Sequence, residues 1–345
     1  MRPTRDRLFD WILSLGPTAK YNLTSSGLTE PALKAMGVET SYEKFAAGKT
    51  DLAFAEAFAD EVARLYGVDP ENVVVTAGAS EAIFLTYSVF APGRAVVVPL
   101  PNYPPMFTVP RALGMDVSHS VFRAKSCRAL LGLTDPNNPT GRSLDADAVD
   151  RHIDQRGRTT IFVNETYREF TFPDRPETHF KESAGIVASN TMTKFYGLGR
   201  LRVGWILADR KIARLLLHAK WAVSGHDSEY SLWLATQALK KREAFVDRAW
   251  RISRGNVTLV RSFLEQTRGV SAELGAAPFC LVRYTRGRPS VEFGRRLLER
   301  TGVLVAPGDF FGAPKAFRLC FTASEETLKK GLEALSGFLN DPSAR

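Results

Sequence analysis

Apolar residues along the chain follow two spacings, one typical of helices and one typical of buried strands. Over residues 51–66 they recur on one helical face and Gly67 follows, so the pattern predicts a helix that ends there. Comparable patterns predict helices over residues 80–90 and 145–155, and a mostly helical stretch over about residues 211–265. Helices therefore occupy much of the chain at regular intervals.

Short runs rich in β-branched residues lie between several of these helices. The runs cover residues 73–76, 95–98, 130–134, 160–163, 186–188 and 203–207. They are almost continuously apolar, which is typical of strands buried on both faces. Strands that alternate with helices in this way predict a mostly parallel sheet with helices on both sides.

The two ends of the chain have a more mixed pattern. The C-terminal part combines helical stretches with strand-like runs at residues 279–282, 303–305 and 317–321. We therefore expect an α/β fold with a large domain over residues 43–240. A small α+β domain is expected from residues 1–42 together with residues 241–345.

Composition narrows the class of protein. An apolar share of 44% and a charged share of 24% are ordinary for a soluble globular protein, and they exclude disorder, collagen and coiled coil as the main architecture. The net charge of +9 fits either an anionic partner or a solvated basic surface. Because basic residues are not clustered with interleaved aromatics, we expect no nucleic-acid partner.

The cysteines and the apolar runs indicate where the protein works. Cys127, Cys280 and Cys320 are far apart and form no CxxC pair, so we expect neither a disulfide framework nor a metal site. No apolar run approaches the length of a membrane span, and the first residues are typical of an amphipathic helix. A cytoplasmic protein without a membrane partner is the expectation.

Ligands of doubly covered parallel sheets bind at the carboxyl ends of the strands. The run 73–76 leads into Ala79 and Ser80 at the start of a helix, where free N–H groups attract an anion, although Ser80 alone is also an ordinary helix cap. Tyr103 follows the next run in a proline-rich loop. This ring either stacks on a flat ligand or packs in a rigid turn.

Three further runs are followed by polar motifs. The segment 135–141 contains two adjacent asparagines between prolines, more than a turn requires, and Asn164 and Tyr167 follow the next run. Lys194 comes after the run 186–188, among apolar residues and hydroxyls, with Arg202 eight residues later. A lysine in such a crevice can lose its proton and act as a nucleophile or a base.

Taken in this order, the motifs resemble those of the fold-type I pyridoxal-phosphate enzymes of the class I/II aminotransferase family. The resemblance covers nearly the whole chain, and the spacing around Lys194 is most similar to histidinol-phosphate and aspartate aminotransferases. It implies pyridoxal 5'-phosphate as cofactor. It also implies transfer of an amino group between an L-amino acid and a 2-oxo acid, with aspartate-like or broad specificity, by a homodimer with shared active sites.

The resemblance also implies a cofactor-binding role for several residues. Lys194 is expected to form a Schiff base with the cofactor and then to move the Cα proton. The phosphate is expected to contact Arg202, Thr191, Ala79 and Ser80. The ring and its phenolate oxygen are expected to contact Tyr103, Asn138 and Tyr167.

Three more positions complete the implied site. Arg318, in a C-terminal strand, resembles the arginine that binds the substrate α-carboxylate with its fork of donors, and Gly27 and Asn138 are expected beside that carboxylate. Tyr42 matches a tyrosine that reaches the phosphate in the other subunit, although a plain packing role for it stays open.

Asn164 departs from the family pattern, which has aspartate there to keep the pyridine nitrogen protonated. Asparagine can accept a hydrogen bond from a protonated nitrogen but supplies no charge. Glu165 is not a substitute, because neighbouring strand residues face opposite ways. Two interpretations follow: a transaminase with Lys194, Tyr167 and Asn164 as catalytic residues, or a lyase, cyclase or decarboxylase acting on an amino acid.

Overall fold

The computed structural model describes residues 5–48, 53–90, 94–120, 129–144, 160–285 and 288–341. The helices are α1 Arg7–Leu15, α2 Tyr42–Ala46, α3 Ala53–Tyr66, α4 Ala79–Phe90, α5 Pro105–Ala112, α6 Arg210–Val223, α7 Glu229–Lys240, α8 Arg242–Gln266, α9 Ser290–Thr301 and α10 Glu325–Asn340. The strands are β1 Tyr21–Asn22, β2 Val73–Thr76, β3 Ala95–Val97, β4 Asp116–Ser118, β5 Leu130–Thr134, β6 Thr160–Asn164, β7 Ile186–Thr191, β8 Gly204–Leu207, β9 Val270–Ser271, β10 Phe279–Tyr284, β11 Val303–Leu304, β12 Ala306–Pro307 and β13 Ala316–Cys320.

Seven of these strands form the central sheet in the order β2-β8-β7-β6-β5-β3-β4. Only β8 runs antiparallel to its neighbours within this sheet, so the expectation of a mostly parallel sheet is confirmed. The edge strand β4 was not predicted. Its three residues are polar or partly exposed, and so they lack the apolar run that marked the other strands.

Helices cover both faces of the central sheet. In β8, Ile206 packs into a cluster with residues of α4 and α6, whereas Trp205 and Leu207 pack into a second cluster with residues of α3, α7 and α8. Successive side chains of a strand point to opposite faces, so a strand with a helix layer on each side is apolar at every position. This burial explains the continuous apolar runs in the sequence.

A second, smaller unit is built around the C-terminal strands. Strands β12, β13, β10 and β9 form an antiparallel sheet, and β1 pairs in parallel with β11. The 25-residue helix α8 joins the two units, because Phe245 packs in the core beside the central sheet and Phe263 packs in the core of the smaller unit. The domain limits given above stay a prediction.

The expectations about the helix over residues 145–155, the cysteines, membrane spans and metal ligands can be compared with the part of the chain that the structure describes. The helix expected over residues 145–155 and the environment of Cys127 lie outside that part, whereas Cys280 and Cys320 are free and buried within it. Among the helices the structure describes, none is long and apolar enough to cross a bilayer. The same residues contain no cluster of three or more potential metal ligands from His, Cys, Asp or Glu.

Candidate active site

A cavity of about 420 Å³ opens at the carboxyl ends of the parallel strands. Strand register places Thr134, Asn164 and Ser189 side by side at this edge, and β13 of the smaller unit supplies Arg318 from the other side. Nine of the residues expected at the site line the cavity: Ala79, Ser80, Tyr103, Asn138, Asn164, Tyr167, Lys194, Arg202 and Arg318.

One end of the cavity is formed by the start of α4. Gly78 has φ +82, and a Cβ there would lie 2.9 Å from Nη2 of Arg202, so glycine lets the arginine approach the main chain closely. Ala79 and Ser80 open the helix, where the first N–H groups have no partner within the helix. Arg202 itself has φ +54, and its Nη2 donates to the carbonyl oxygen of Ala77 at 3.2 Å. Main-chain donors and a guanidinium thus converge as an anion site requires.

Lys194 lies beyond the end of β7, facing the cavity. Burial lowers its pKa from the ordinary 10.5 to about 8, with a further lowering by the positive charges of Arg318 and Arg202 that Cys320 partly opposes. A Cβ on Gly27 would lie 3.1 Å from Cδ of Lys194. A larger residue at position 27 would therefore force the lysine side chain to shift. Because of the lowered pKa, a minor but substantial fraction of the lysine is neutral near physiological pH, far more than for an ordinary lysine.

The pKa of Lys194 predicts how the cofactor attaches. Only the neutral amine attacks an aldehyde, so attachment of pyridoxal phosphate to the apoprotein should quicken about tenfold per pH unit up to about pH 8 and then level off. The rate is measured from the growth of the visible absorbance of the lysine-bound cofactor after mixing. The same reaction with free lysine shows how titration of the cofactor itself affects the rate. A rate that still climbs at pH 10 would contradict the lowered pKa.

Arg318 lies in β13 with an exposed fraction of only 2%. Its Nη1 donates to Oδ1 of Asn138 at 2.9 Å and its Nη2 donates to the carbonyl oxygen of Thr24 at 3.0 Å. Its Nε is buried and has no hydrogen-bond partner among the described residues. Of the five N–H donors of the guanidinium, the bonds to Asn138 and Thr24 use two, so an arginine that lines the cavity keeps donors with which to bind a carboxylate.

Tyr167 stands next to Arg318 at the floor of the cavity. Its ring contacts Phe279 edge to face at 4.7 Å between centroids, and its hydroxyl donates to Oγ of Ser26 at 2.7 Å. Burial raises the pKa of Tyr167 to about 12, although the nearby Arg318 and the Ser26 hydroxyl oppose the rise. The phenol therefore stays protonated, and in this structure its O–H is donated to Ser26.

Asn164 behaves differently from the sequence expectation. Its Oδ1 accepts hydrogen bonds from the main-chain N and from Oγ1 of Thr166. The oxygen that was expected to accept from a protonated ring nitrogen is thus already occupied. Glu165 does face away, as expected, because its carboxylate accepts from the main-chain N of His179.

Three residues expected at the site lie beside the cavity or far from it. Thr191 is buried behind it, where its Oγ1 donates to the carbonyl oxygen of Val203 and accepts from the N of Thr193. Gly27 packs against the main chain of Thr193. Tyr42 is 62% exposed and contacts Tyr230 and Phe45 in place of this cavity.

The cavity also includes residues that the sequence interpretation did not assign. Thr24 and Ser26 come from the segment before Gly27 and bond to Arg318 and Tyr167. Leu8, Phe9 and Ile12 of α1 line the mouth. The hydroxyl-rich run 24–26 was a visible signal, but nothing local in the sequence of α1 indicates that it packs over a strand end so distant along the chain.

A buried ionic cluster supports the polar loop 135–141 from behind. The carboxylate of Asp135 is fully buried and contacts Nη1 of Arg168, and it lies 2.7 Å from Nε2 of His179. Asp135 also accepts from the N of Leu144 at 2.7 Å. These bonds fix the loop that presents Asn138 to Arg318.

A second, larger cavity of about 860 Å³ lies between α3, β2 and α6. It contains none of the residues expected at the site. Beside it, the buried Lys220 donates to Glu81 and Asp227, both at 3.0 Å, and Trp221 is 48% exposed. The smaller cavity is the one that joins a lysine, free anion-binding donors and a buried arginine, so the chemistry belongs there.

The family model for aminotransferase class I and II matches residues 43–335. The chain belongs to this family. Two relatives are a histidinol-phosphate aminotransferase of Carboxydothermus hydrogenoformans, 28% identical with 73% of each chain covered, and an aspartate aminotransferase of Streptomyces avermitilis, 25% identical with 80% of this chain and 76% of that protein covered. The protein is accordingly a transaminase that depends on pyridoxal phosphate.

Solved structures show the same fold. A PLP-dependent aminotransferase from Streptococcus suis superposes with a TM-score of 0.88 at 24% identity, with 98% of both chains covered. The PLP-dependent cyclase OrfR superposes with a TM-score of 0.82 at 23% identity, again over 98% of both chains. Since one fold carries both activities, it does not distinguish between them.

The residues of the smaller cavity fit pyridoxal phosphate. Its volume is within the usual range of small-molecule sites. The start of α4 and Arg202 offer donors for a phosphate, Lys194 offers an amine for the aldehyde, and Tyr103 offers an aromatic ring at the wall. The guanidinium of Arg318, which lines the same cavity, offers separate donors for the carboxylate of an amino acid.

Proposed function

We propose that the protein transfers the amino group of an L-amino acid of aspartate-like or broad side-chain specificity to a 2-oxo acid, with Lys194 as the cofactor-bearing residue. The single observation that carries this assignment is that Lys194, with a pKa near 8, lines one cavity together with the anion-binding start of α4 and the buried Arg318. A phosphate site and a carboxylate site in the same cavity as one amine fit a phosphorylated aldehyde and an amino acid together.

Each residue has a distinct role in this proposal. When bound, pyridoxal phosphate supplies an electron-withdrawing ring that makes the substrate's Cα–H acidic. Lys194 would hold the cofactor and, once displaced by the substrate amine, would remove the Cα proton and deliver it to C4′ of the cofactor. Tyr167 and Asn138 hold the phenolate oxygen, and Tyr103 covers the ring.

Binding of the two anionic groups is divided between two arginines. Arg202, with the N–H groups of Ala79 and Ser80 and with Thr191 behind them, holds the phosphate. Arg318 binds the substrate α-carboxylate, beside Asn138 and Gly27. Because Arg318 comes from the smaller unit and Arg202 from the loop between β7 and β8 of the central sheet, the bound cofactor and substrate would be held by both units.

A panel of single amino acids tests the proposal. The holoenzyme is mixed with one amino acid at a time, without any 2-oxo acid, and the cofactor is followed by its absorbance and by chromatography. Conversion to pyridoxamine phosphate with release of the matching 2-oxo acid is expected for at least one amino acid, and for aspartate if specificity is aspartate-like. Failure of every amino acid to convert the cofactor sinks the transaminase assignment.

One observation favours a second candidate, a lyase, cyclase or decarboxylase acting on an amino acid. Asn164 stands where the family pattern has an acid, and a weaker electron sink suits reactions other than repeated transamination. The same panel separates the candidates. Ammonia, carbon dioxide or a cyclised product, with the cofactor still in its aldehyde form, favours the second.

We also propose that the protein works as a cytoplasmic homodimer with shared active sites. Tyr42 is exposed and remote from the cavity of its own chain, which suits a residue that reaches the phosphate of a second copy. The exposed Trp221 beside the larger cavity suits a covered surface. Analytical ultracentrifugation should give twice the mass of one chain. When the Tyr42→Phe and Lys194→Ala variants are mixed, hybrid dimers should form in which the two sites differ in cofactor affinity.

A further inference from the structure

The side-chain amide of Asn164 has only one orientation that its neighbours allow. Oδ1 lies 3.1 Å from the main-chain N of Thr166 and 2.5 Å from its Oγ1. A main-chain N–H can donate but never accept, so the atom facing it must be the carbonyl oxygen and not the NH₂ group. Two donors also use both lone pairs of that oxygen, and no acceptor is left for a ligand.

The amide nitrogen of Asn164 is therefore what the residue offers to the cavity. Asn164 lines the cavity, and its Nδ2 donates to no group among the residues the structure describes. An NH₂ group can donate and cannot accept. A ligand atom that meets this side chain must carry a free lone pair.

The charges around the cavity favour the same protonation state. Among the described residues that line it, the charged ones are Lys194, Arg202 and Arg318, all cationic, and no carboxylate is present. The titratable neighbours Tyr103 and Tyr167 stay protonated and neutral, because burial raises the pKa of both. Among these residues, a cationic ring nitrogen would therefore find no carboxylate to compensate its charge.

We propose that Asn164 donates a hydrogen bond to an unprotonated pyridine nitrogen of the cofactor, with Thr166 as the positioning residue that sets the direction of the bond. This inference rests on the proposed function, with Asn164 lining the cavity, and on the family resemblance, in which the residue at position 164 faces the pyridine nitrogen. It reverses the polarity expected when an acid occupies the position, since a carboxylate accepts from a protonated ring. A neutral ring withdraws electrons less strongly, so more of the work of removing the Cα proton falls to Lys194.

The protonation state of the ring can be measured without turnover. Holoenzyme is reconstituted with pyridoxal phosphate labelled with ¹⁵N in the ring, and its nitrogen chemical shift is recorded at neutral pH. Free labelled cofactor above and below its own ring pKa calibrates the neutral and cationic limits. We expect the wild-type shift at the neutral limit and the Asn164→Asp shift near the cationic limit.

The two variants are well matched, because aspartate can accept the same two hydrogen bonds from Thr166 with one oxygen and leave the other for the ring. A wild-type shift at the cationic limit would overturn the inference, whatever the variant does. An Asn164→Asp shift that stays neutral would also overturn it, because the direction of this bond would then not control the ring.

The closing experiment also distinguishes the inference from the proposed function. If no visible band of lysine-bound cofactor forms and the Lys194→Ala protein is indistinguishable from wild type, the proposed function fails. If the band forms and the ring is cationic, only the inference about Asn164 fails. As a secondary readout, Asn164→Asp should raise the rate of the first half-reaction.

Discussion

The Lys194→Ala variant is expected to lose the visible absorbance band of the lysine-bound cofactor and to slow transamination by about 10²- to 10⁴-fold, the range for removal of a general acid or base. The physical reason is that no other amine lines the cavity among the described residues. Absorbance spectra of reconstituted proteins and stopped-flow half-reactions measure the two effects.

A matched control is available for this variant. Lys240→Ala removes a lysine that is 57% exposed on α7 and pairs loosely with Glu61, so its spectrum and rate should equal those of wild type. Small primary amines added to the Lys194→Ala protein should restore part of the proton-transfer rate if the missing group is a base. A Lys194→Ala protein that keeps the visible band would show that another residue carries the cofactor.

The Arg318→Ala variant is expected to lower kcat/KM for every amino acid by roughly 30-fold to several-thousand-fold, equivalent to about 2–5 kcal/mol for truncating a buried, hydrogen-bonded charge. The loss should be common to all amino acids, because Arg318 binds the α-carboxylate that they share. Part of it arises because Asn138 and the carbonyl oxygen of Thr24 also lose their donor.

The design separates binding of the substrate from loss of structure. Arg318→Lys keeps the charge but not the planar fork, and it should recover only part of the loss. Arg200→Ala removes an exposed arginine paired with Glu30 and should leave both cofactor and substrate affinity unchanged. If Arg318→Ala weakens pyridoxal phosphate binding as much as substrate binding, its role lies with the cofactor or the fold and not with the carboxylate.

Features that depend on local sequence could be predicted. The strands β2, β5, β6 and β7 were found within a few residues, because burial on both faces leaves a continuous apolar run. The residues that follow these strands line one cavity, since parallel strands bring their carboxyl ends to one edge. The resemblance to a family, which runs over nearly the whole chain, then linked those residues to a cofactor.

Features that depend on contacts between residues distant along the chain could not be predicted from the sequence. The packing of α1 over the cavity and the bond from Tyr167 to Ser26 join segments separated by more than a hundred residues, and no local pattern encodes them. The orientation of the Asn164 amide could not be predicted either, but for a different reason. It depends on Thr166, only two residues later, but needs the main-chain geometry of the turn before it can be deduced.

Helix α8 has a consequence for how the protein unfolds. Because one continuous helix supplies Phe245 to one core and Phe263 to the other, melting of either core leaves half of α8 without packing and so destabilises the half that the other core needs. Heat should therefore denature the described parts of the chain in one cooperative transition. The distance between Lys194 and Arg318, on which substrate binding depends, should therefore stay constant up to the temperature of that transition.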